Sequence, residues 1–537
     1  MRPKRRQLLA AMVVLAAGGA VRDGQAALWP WGTSVSPAVP GGIMGADAIL
    51  GHRLRTGDFP EPSTLTHQDV VIVGGGIAGL SAAWRLARQD IAFTLVELEH
   101  QVGGNAASGR NAVSAFPFGA HYVPRLTRES VHAAALFEEL GIITGRGANG
   151  DPVYNEFYLC ADPRERLYAY GRWQEDLLPS IGVTQEDQRQ YDAFFAAMDG
   201  FRSRRGGDGH KAFAIPMEFS STEPDLLALD RISMAEWMRM RGWASRPLTW
   251  YVDYCCRDDY GAHAADISAW AGIHYFAARD GKGAEDDTPT VLTWPEGNGW
   301  IVGQLKQRLA DHLRCACPAW RVTVLADGVA VDVFDPAANR SHRLHARAII
   351  LAVPHFVADV LLNRTPDEAR SYSPWMVANV TTSKMPAGTG MRLCWDNVVY
   401  DSRSLGYVVA THQTLQRVPA RTVLTYYWPL CDLPPADARR EALARSLPEW
   451  QAMVLDELLR VHPELRGAIA NIDVWLWGHG MIRPTPGYIW GPARAAACVQ
   501  KPPVFFAHSD MSGLSIFEEA NYRGVTAADA LAEYLGA

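Results

Sequence analysis

Cysteine is scarce in this chain: eight among 537 residues, too few and too scattered for a disulfide-built scaffold. Adjacent Cys255-Cys256 and the Cys315-Ala316-Cys317 pair lack the second half of a zinc-ligand spacing, so no metal site is expected. Most of the cysteines read as small buried hydrophobes. Positive charge is not in surplus either. Lys and Arg total 51 against 58 Asp and Glu, a formal charge of −7 with a basic leader included, which implies no general polyanion-binding surface and no nucleic-acid partner. The one apolar run near the start ends at about Ala20, is interrupted by Gly18-Gly19, and is short for a bilayer span. The rest is ordinary globular composition, 48% hydrophobic and 20% charged, in a chain too long for one compact core.

The leader has its own grammar. Met1-Arg2-Pro3-Lys4-Arg5-Arg6-Gln7-Leu8-Leu9-Ala10 is a basic region running into a short apolar one, and Gly24-Gln25-Ala26 offers a small-residue cleavage site. Residues 1–26 resemble a twin-arginine export signal, with an uncleaved membrane anchor as the alternative. The expected partner is then the twin-arginine translocation machinery, and the expected location is periplasmic or otherwise exported. Residues 27–66 are rich in Pro, Gly, Ser and Thr and read as an extended lead that wraps the surface or stays mobile.

The chain is organised around Asp69-Val70-Val71-Ile72-Val73-Gly74-Gly75-Gly76-Ile77-Ala78-Gly79-Leu80. A β-branched apolar run predicts a buried parallel strand, and Leu80–Ala87 predicts the helix that follows it. Between them Gly74 makes the tight turn, Gly76 lets a pyrophosphate approach the backbone, and Gly79 lets helix and strand pack closely. The free N–H groups of the helix start, at Ile77 and Ala78, face the phosphates. A second strand, Ile91–Val96, ends in Glu97, about 20 residues on, where a ribose-binding carboxylate belongs. Beyond it Gly103-Gly104-Asn105 permits a second close backbone approach, and Phe118-Gly119-Ala120-His121-Tyr122 forms an aromatic, glycine-containing return.

With these residues the chain resembles the flavin-containing amine oxidoreductase superfamily, which includes monoamine and polyamine oxidases and phytoene-desaturase-like enzymes. The resemblance runs from about Asp69 to the end. It implies an α/β fold: a Rossmann-like FAD-binding domain interleaved with an α+β substrate domain, as in glutathione reductase and amine oxidases. The segments expected are 67–125, 291–370 and 471–537 for FAD, and 126–290 and 371–470 for substrate. FAD is the implied cofactor, non-covalently held, since no Cys or His lies in a recognisable attachment motif. By likeness Glu97 holds the adenosine ribose, Gly119-Ala120 lies near the flavin with His121 beside it, and Val322 gives adenine a backbone contact. Asp510 takes the ribityl chain, and Glu519-Ala520-Asn521-Tyr522-Arg523-Gly524 matches the helix start with Ala520 and Gly524 in place but Glu519 where a glycine is usual. Asn105 stands where the family often has arginine, so a phosphate contact must come from elsewhere, Arg110 being one source.

For the chemistry, the residues do not place the family's lysine or its aromatic cage: Lys384 falls a few residues past the strand expected to carry the lysine, and the aromatic position near the last helix looks like Ile516 or Phe517. His479, between two glycines, and His121 are the candidate acid–base groups, and Trp428 or Tyr427 the candidate pocket wall. The charged cluster in Arg257-Asp258-Asp259 falls where a substrate domain is expected. The leading expectation is an exported FAD-dependent oxidoreductase of the amine oxidase type, acting on a small or medium organic substrate by hydride transfer to flavin and passing electrons to oxygen or another acceptor. The alternatives are a desaturase or isomerase of an apolar substrate and a non-catalytic binding protein.

Overall fold

Four consecutive buried residues, Val70–Val73, end the strand Thr64–Val73 and show why it lies inside: apolar side chains point to both faces, as a strand covered by helices on each side requires. It starts before His67, at Thr64, so the nucleotide layer begins inside what the sequence reads as lead. The computed structural model describes residues 39–284, 290–414 and 419–537. The segment 1–26, expected from the sequence to be an export signal, lies outside the described residues. Among those described, no helix is long and apolar enough to cross a membrane.

Two sheets carry the architecture. The first has seven strands, in the order Leu313–Arg314, Phe93–Val96, Thr64–Val73, Arg340–Leu351, Gly328–Asp335, Ala319–Leu325, with Val504–Phe506 parallel to the end of Arg340–Leu351. Its centre is parallel and the hairpin 319–335 is antiparallel. Helix Ile77–Ala87 covers one face and packs against the C-terminal helix Phe517–Leu535. Gly524 makes that crossing possible: a Cβ there would lie 2.2 Å from the Ala78 carbonyl oxygen.

The second sheet has eight strands, in the order Ile43–Gly45, Ile469–Ile482, Tyr372–Thr382, Thr422–Pro429, Gly406–Val409, Asp396–Val399, Glu165–Ala169, Arg172–Glu175. One face packs on helix Leu447–Val461 through Leu424, Tyr426 and Trp428; the other meets a helical layer that includes Arg246–Tyr260 and Ala269–Ala277. Each fully buried aliphatic side chain in these layers contributes roughly 1.5–3 kcal/mol.

Three expectations are corrected here. Strand Ile469–Ile482 runs whole in the eight-stranded sheet, so the chain returns to the nucleotide layer after Ile482 and not at 471. The described part of the lead is built structure: strand Ile43–Gly45 pairs with Val474–Leu476, and helix Ala48–Thr56 follows. Trp428 does not wall a pocket. Alternation along Thr422–Pro429 turns Tyr427 to the helical layer and Trp428 into the core on the opposite face.

Candidate active site

The glycine loop makes three distinct uses of a missing side chain. Gly74 has φ +101°, and a Cβ there would lie 2.4 Å from the Ala352 carbonyl oxygen. At Gly79 a Cβ would lie 1.9 Å from the Gly74 oxygen, so helix and strand are in backbone contact. At Gly76, by contrast, a Cβ would meet nothing within 4 Å. The open space at Gly76 is a cavity of about 760 Å³. Gly76 caps helix Ile77–Ala87 without a side-chain hydrogen bond, so the first N–H groups of that helix remain for a ligand.

Glu97 ends strand Phe93–Val96 on the cavity wall. Its Oε2 accepts the Gly75 N–H at 2.5 Å and Oε1 accepts the Glu99 N–H at 2.9 Å. Burial pushes this carboxyl up, and those backbone bonds pull against it. The pair Gly103-Gly104 is tied to the loop by Gly103 N–H to the Gly75 oxygen at 2.8 Å. Ile77, Ala78, Gly104, Asn105, Ala120 and Ala520 line the same space.

Asp510 is fully buried at the far side of this cavity. Its Oδ2 accepts from the Tyr372 hydroxyl at 2.6 Å and from the His355 N–H at 2.9 Å. His508 Nδ1 is 3.0 Å from Oδ1: protonated, the ring pairs with the carboxylate; neutral with Nδ1 bare, it accepts the Asp510 N–H at 3.2 Å and leaves Oδ1 without a donor among the described residues. Burial pushes the carboxyl up, and the His508 ring, the Tyr372 hydroxyl and the His355 N–H outweigh it, holding Asp510 at about 2. With His508 neutral, Oδ1 is a buried carboxylate oxygen open to a ligand hydroxyl. Together with the open glycine cradle and the Glu97 carboxylate, it makes the cavity fit a dinucleotide.

A smaller cavity of about 140 Å³ adjoins the first, sharing Asn105, Ala120, Trp477, Ile516 and Phe517 with it. Its walls include Tyr122, Trp375 and Tyr427, and three carboxyl groups reach it: Asp258, Asp259 and Glu518. The one lining guanidinium, Arg279, is paired with Asp259. Tyr122 donates its hydroxyl to Asp258 Oδ2 at 3.4 Å. Burial, with Asp259 alongside, pushes Asp258 up to about 7. Burial likewise pushes Glu518 up to about 7, and among the described residues its Oε2 has no hydrogen-bond partner. His121 lines this pocket, its ring stacked 4.5 Å from that of Tyr427, and burial holds it neutral by lowering it to about 4.

The structure sorts the remaining sequence candidates. Gly119 lines the small pocket, and the Tyr427 hydroxyl donates to its carbonyl at 2.9 Å. His479 lines the large cavity, packed 4.6 Å from Phe356, and does not reach the small pocket. Val322 is corrected: it packs in the core of the seven-stranded sheet, and the cavity edge on that strand is Ala319. Arg110 is also corrected, because it is exposed and paired with Glu296 at 3.3 Å, clear of both cavities. Lys384 is exposed past the end of strand Tyr372–Thr382, and among the described residues no lysine lines either cavity. Glu519 points away from both, its Oε1 accepting the Met217 N–H at 2.5 Å. Sequence reasoning missed Glu518; its signal is a carboxylate pair opening an amphipathic helix.

Comparison with known proteins bears on the fold. Residues 72–140 match the family model of the NAD(P)-binding Rossmann-like domain. Among curated proteins no sequence matches. Similar solved structures include a putrescine oxidase double mutant studied for redesign of cofactor binding (TM-score 0.65, 17% identity, 87% of this chain and 100% of that one). Cyclohexylamine oxidase from Brevibacterium oxydans gives TM-score 0.61 at 18% identity over 88% of this chain and 100% of that one. A fatty acid isomerase from P. acnes that produces CLA gives 0.59 at 14% over 87% and 98%. The chain therefore has the fold of these proteins: a Rossmann-like nucleotide-binding layer interleaved with a second, mixed sheet.

Proposed function

We propose that this protein is an exported FAD-dependent oxidoreductase that oxidises a small amine. The observation that carries the reading is the acidic, aromatic-walled pocket joined to the dinucleotide cavity: three carboxyl groups against one guanidinium, two of them near 7 and one oxygen unpartnered. Two buried carboxyls poised to ionise are matched to an entering ammonium group, which repays the desolvation each would otherwise suffer. The two amine oxidases among the similar structures support the same class.

The glycine loop would hold the FAD diphosphate, Glu97 the adenosine ribose and Asp510 the ribityl chain. Bound there, FAD supplies the two-electron acceptor for a substrate C–H bond, with oxygen or another molecule reoxidising it. The chain's own groups do the rest. Asp258 and Glu518 hold the ammonium, and Tyr122 fixes the Asp258 carboxyl. A carboxyl near 7 also suits receipt of the ammonium proton at neutral pH. Tyr427, Trp477 and Phe517 exclude water around the reacting carbon, and the neutral His121 ring adds no competing positive charge. An apolar substrate, such as an isomerase or desaturase would take, leaves Glu518 Oε2 unpaired, which disfavours that alternative. Export is inferred from Arg5-Arg6 and the apolar stretch after them.

The test is anaerobic mixing of purified, FAD-loaded protein with primary and secondary amines, diamines and unsaturated fatty acids. Loss of the oxidised flavin spectrum with amines alone is expected. Reduction by fatty acids alone, or a protein that takes up no flavin, overturns the reading.

A further inference from the structure

Residues 43–59 lie outside every motif of the sequence, yet they close one side of the large cavity. The segment is anchored at both ends. Ile43–Gly45 is an edge strand of the eight-stranded sheet, and Phe59 stacks 5.3 Å from Trp320 beside the seven-stranded one. Between them helix Ala48–Thr56 is capped by Asp47, whose Oδ1 accepts the Leu50 N–H at 2.8 Å, and ends at Gly57 with φ +62°. Ala48, Gly51, His52 and Arg55 recur at i, i+3, i+4 and i+7 and line the cavity as one stripe.

Arg439, from helix Pro435–Ala444, and His479 line the same space. Arg439 is half-buried and, among the described residues, donates only to the Tyr372 carbonyl, at 3.3 Å. Among the described residues neither Arg55 nor Arg439 has a carboxylate partner. Their charges act on one another: burial and then Arg55 lower Arg439, while burial, Arg439, Arg55 and His52 drive His479 down to about 3. Elsewhere in the chain two converging arginines are bridged. Arg321 and Arg343 share the buried Asp332, at 2.6 and 2.7 Å. At the cavity mouth the described residues supply no such bridge.

We propose that Arg55 and Arg439, with His52, form a binding site for phosphoryl oxygens at the mouth of the large cavity. Two guanidiniums on separate helices suit a group with several acceptor oxygens. The phosphoryl group is either the diphosphate of the cofactor or a free phosphate compound that binds beside it. This site also supplies the positive charge that Asn105 does not.

The experiment uses the full chain, wild type and the variants Arg55→Ala, Arg439→Ala and Arg55→Lys, with inorganic pyrophosphate as the probe. Two quantities are read: the rate of flavin release, from the rise in flavin fluorescence, and the melting temperature with and without pyrophosphate. If the cofactor's diphosphate is the ligand, both alanine variants release flavin at least about tenfold faster, the loss of one charged hydrogen bond. Pyrophosphate then raises the melting temperature of the flavin-free protein only. If a free phosphate compound is the ligand, flavin release is unchanged and pyrophosphate raises the melting temperature of the loaded wild type but of neither alanine variant. Arg55→Lys retains part of either effect. Unchanged release together with no pyrophosphate response in either form overturns the proposal. Because Arg55 is exposed, its replacement leaves the fold intact even should Arg439→Ala misfold. A protein that binds pyrophosphate through these residues but never takes up flavin would refute the cofactor assignment and leave this site standing.

Discussion

Amine binding should be coupled to proton release, and Glu518 is where to look. Its carboxyl, like that of Asp258, is held near 7 by burial, so below neutral pH both are largely protonated. An alkylammonium stays charged throughout this range. It binds best to ionised carboxylates, so entry below pH 7 must first expel their protons. That costs about 1.4 kcal/mol per group per pH unit, a tenfold loss of affinity. At about pH 6 the two groups together weaken binding by up to a hundredfold relative to the plateau above about pH 8. The sign is fixed: affinity falls as pH falls. Replacing Glu518 by Gln removes one of the two titrations, so the slope of log Kd against pH below 7 should drop from near two to near one. The plateau affinity should also weaken, by roughly 1.5–3 kcal/mol for one charged contact. A suitable probe is tert-butylamine, which has no hydrogen on the carbon beside nitrogen and cannot be oxidised there. Calorimetry in two buffers of different ionisation enthalpy counts the protons directly. An affinity flat from about pH 5.5 to 8, or a slope unchanged by Glu518→Gln, would refute the assignment of these carboxyls to the substrate.

Two glycine substitutions should separate ligand space from packing. Gly76→Val should leave the melting temperature of the cofactor-free protein nearly unchanged, because the new side chain enters open cavity, while flavin uptake is abolished. Gly79→Ala should instead lower the melting temperature itself, since its Cβ is driven into the Gly74 carbonyl, at a cost of about 1–3 kcal/mol or more. Asp510→Asn exchanges an ionised acceptor for a neutral amide and should weaken flavin binding by about 1.5–3 kcal/mol, readable as a rise in Kd by fluorescence titration. Replacing Arg5 and Arg6 by Lys should hold the flavoprotein in the cytoplasmic fraction; undiminished export would remove the twin-arginine reading.

What the sequence made legible was local. Strand, glycine turn, helix and Glu97 fall within about 30 residues, and their spacing follows from one βαβ geometry. Asp510 was reachable by resemblance, as the acidic residue after a short buried strand. The pocket was legible only in part: the Arg257-Asp258-Asp259 cluster stands out in the sequence, but Glu518 comes from a distant segment and only packing brings it to Asp258. The choice between Tyr427 and Trp428 is one of phase: an uninterrupted apolar strand shows no sign of which face meets which layer. The same ambiguity separates Ala319 from Val322. The lead was misread because its Pro- and Gly-rich composition resembles a tether, although Asp47 before and Gly57 after a nine-residue stretch are the marks of a capped helix.

The pairing of Ile43–Gly45 with Val474–Leu476 sets an order on biogenesis. Residues 43–45 have no seat in the sheet until a strand more than 400 positions later has been made. At about 5–20 residues per second that is a wait of roughly 20–90 s. The cavity takes its wall from both segments and from residues 508–520 beyond them, so it is complete only after nearly the whole described chain has been made.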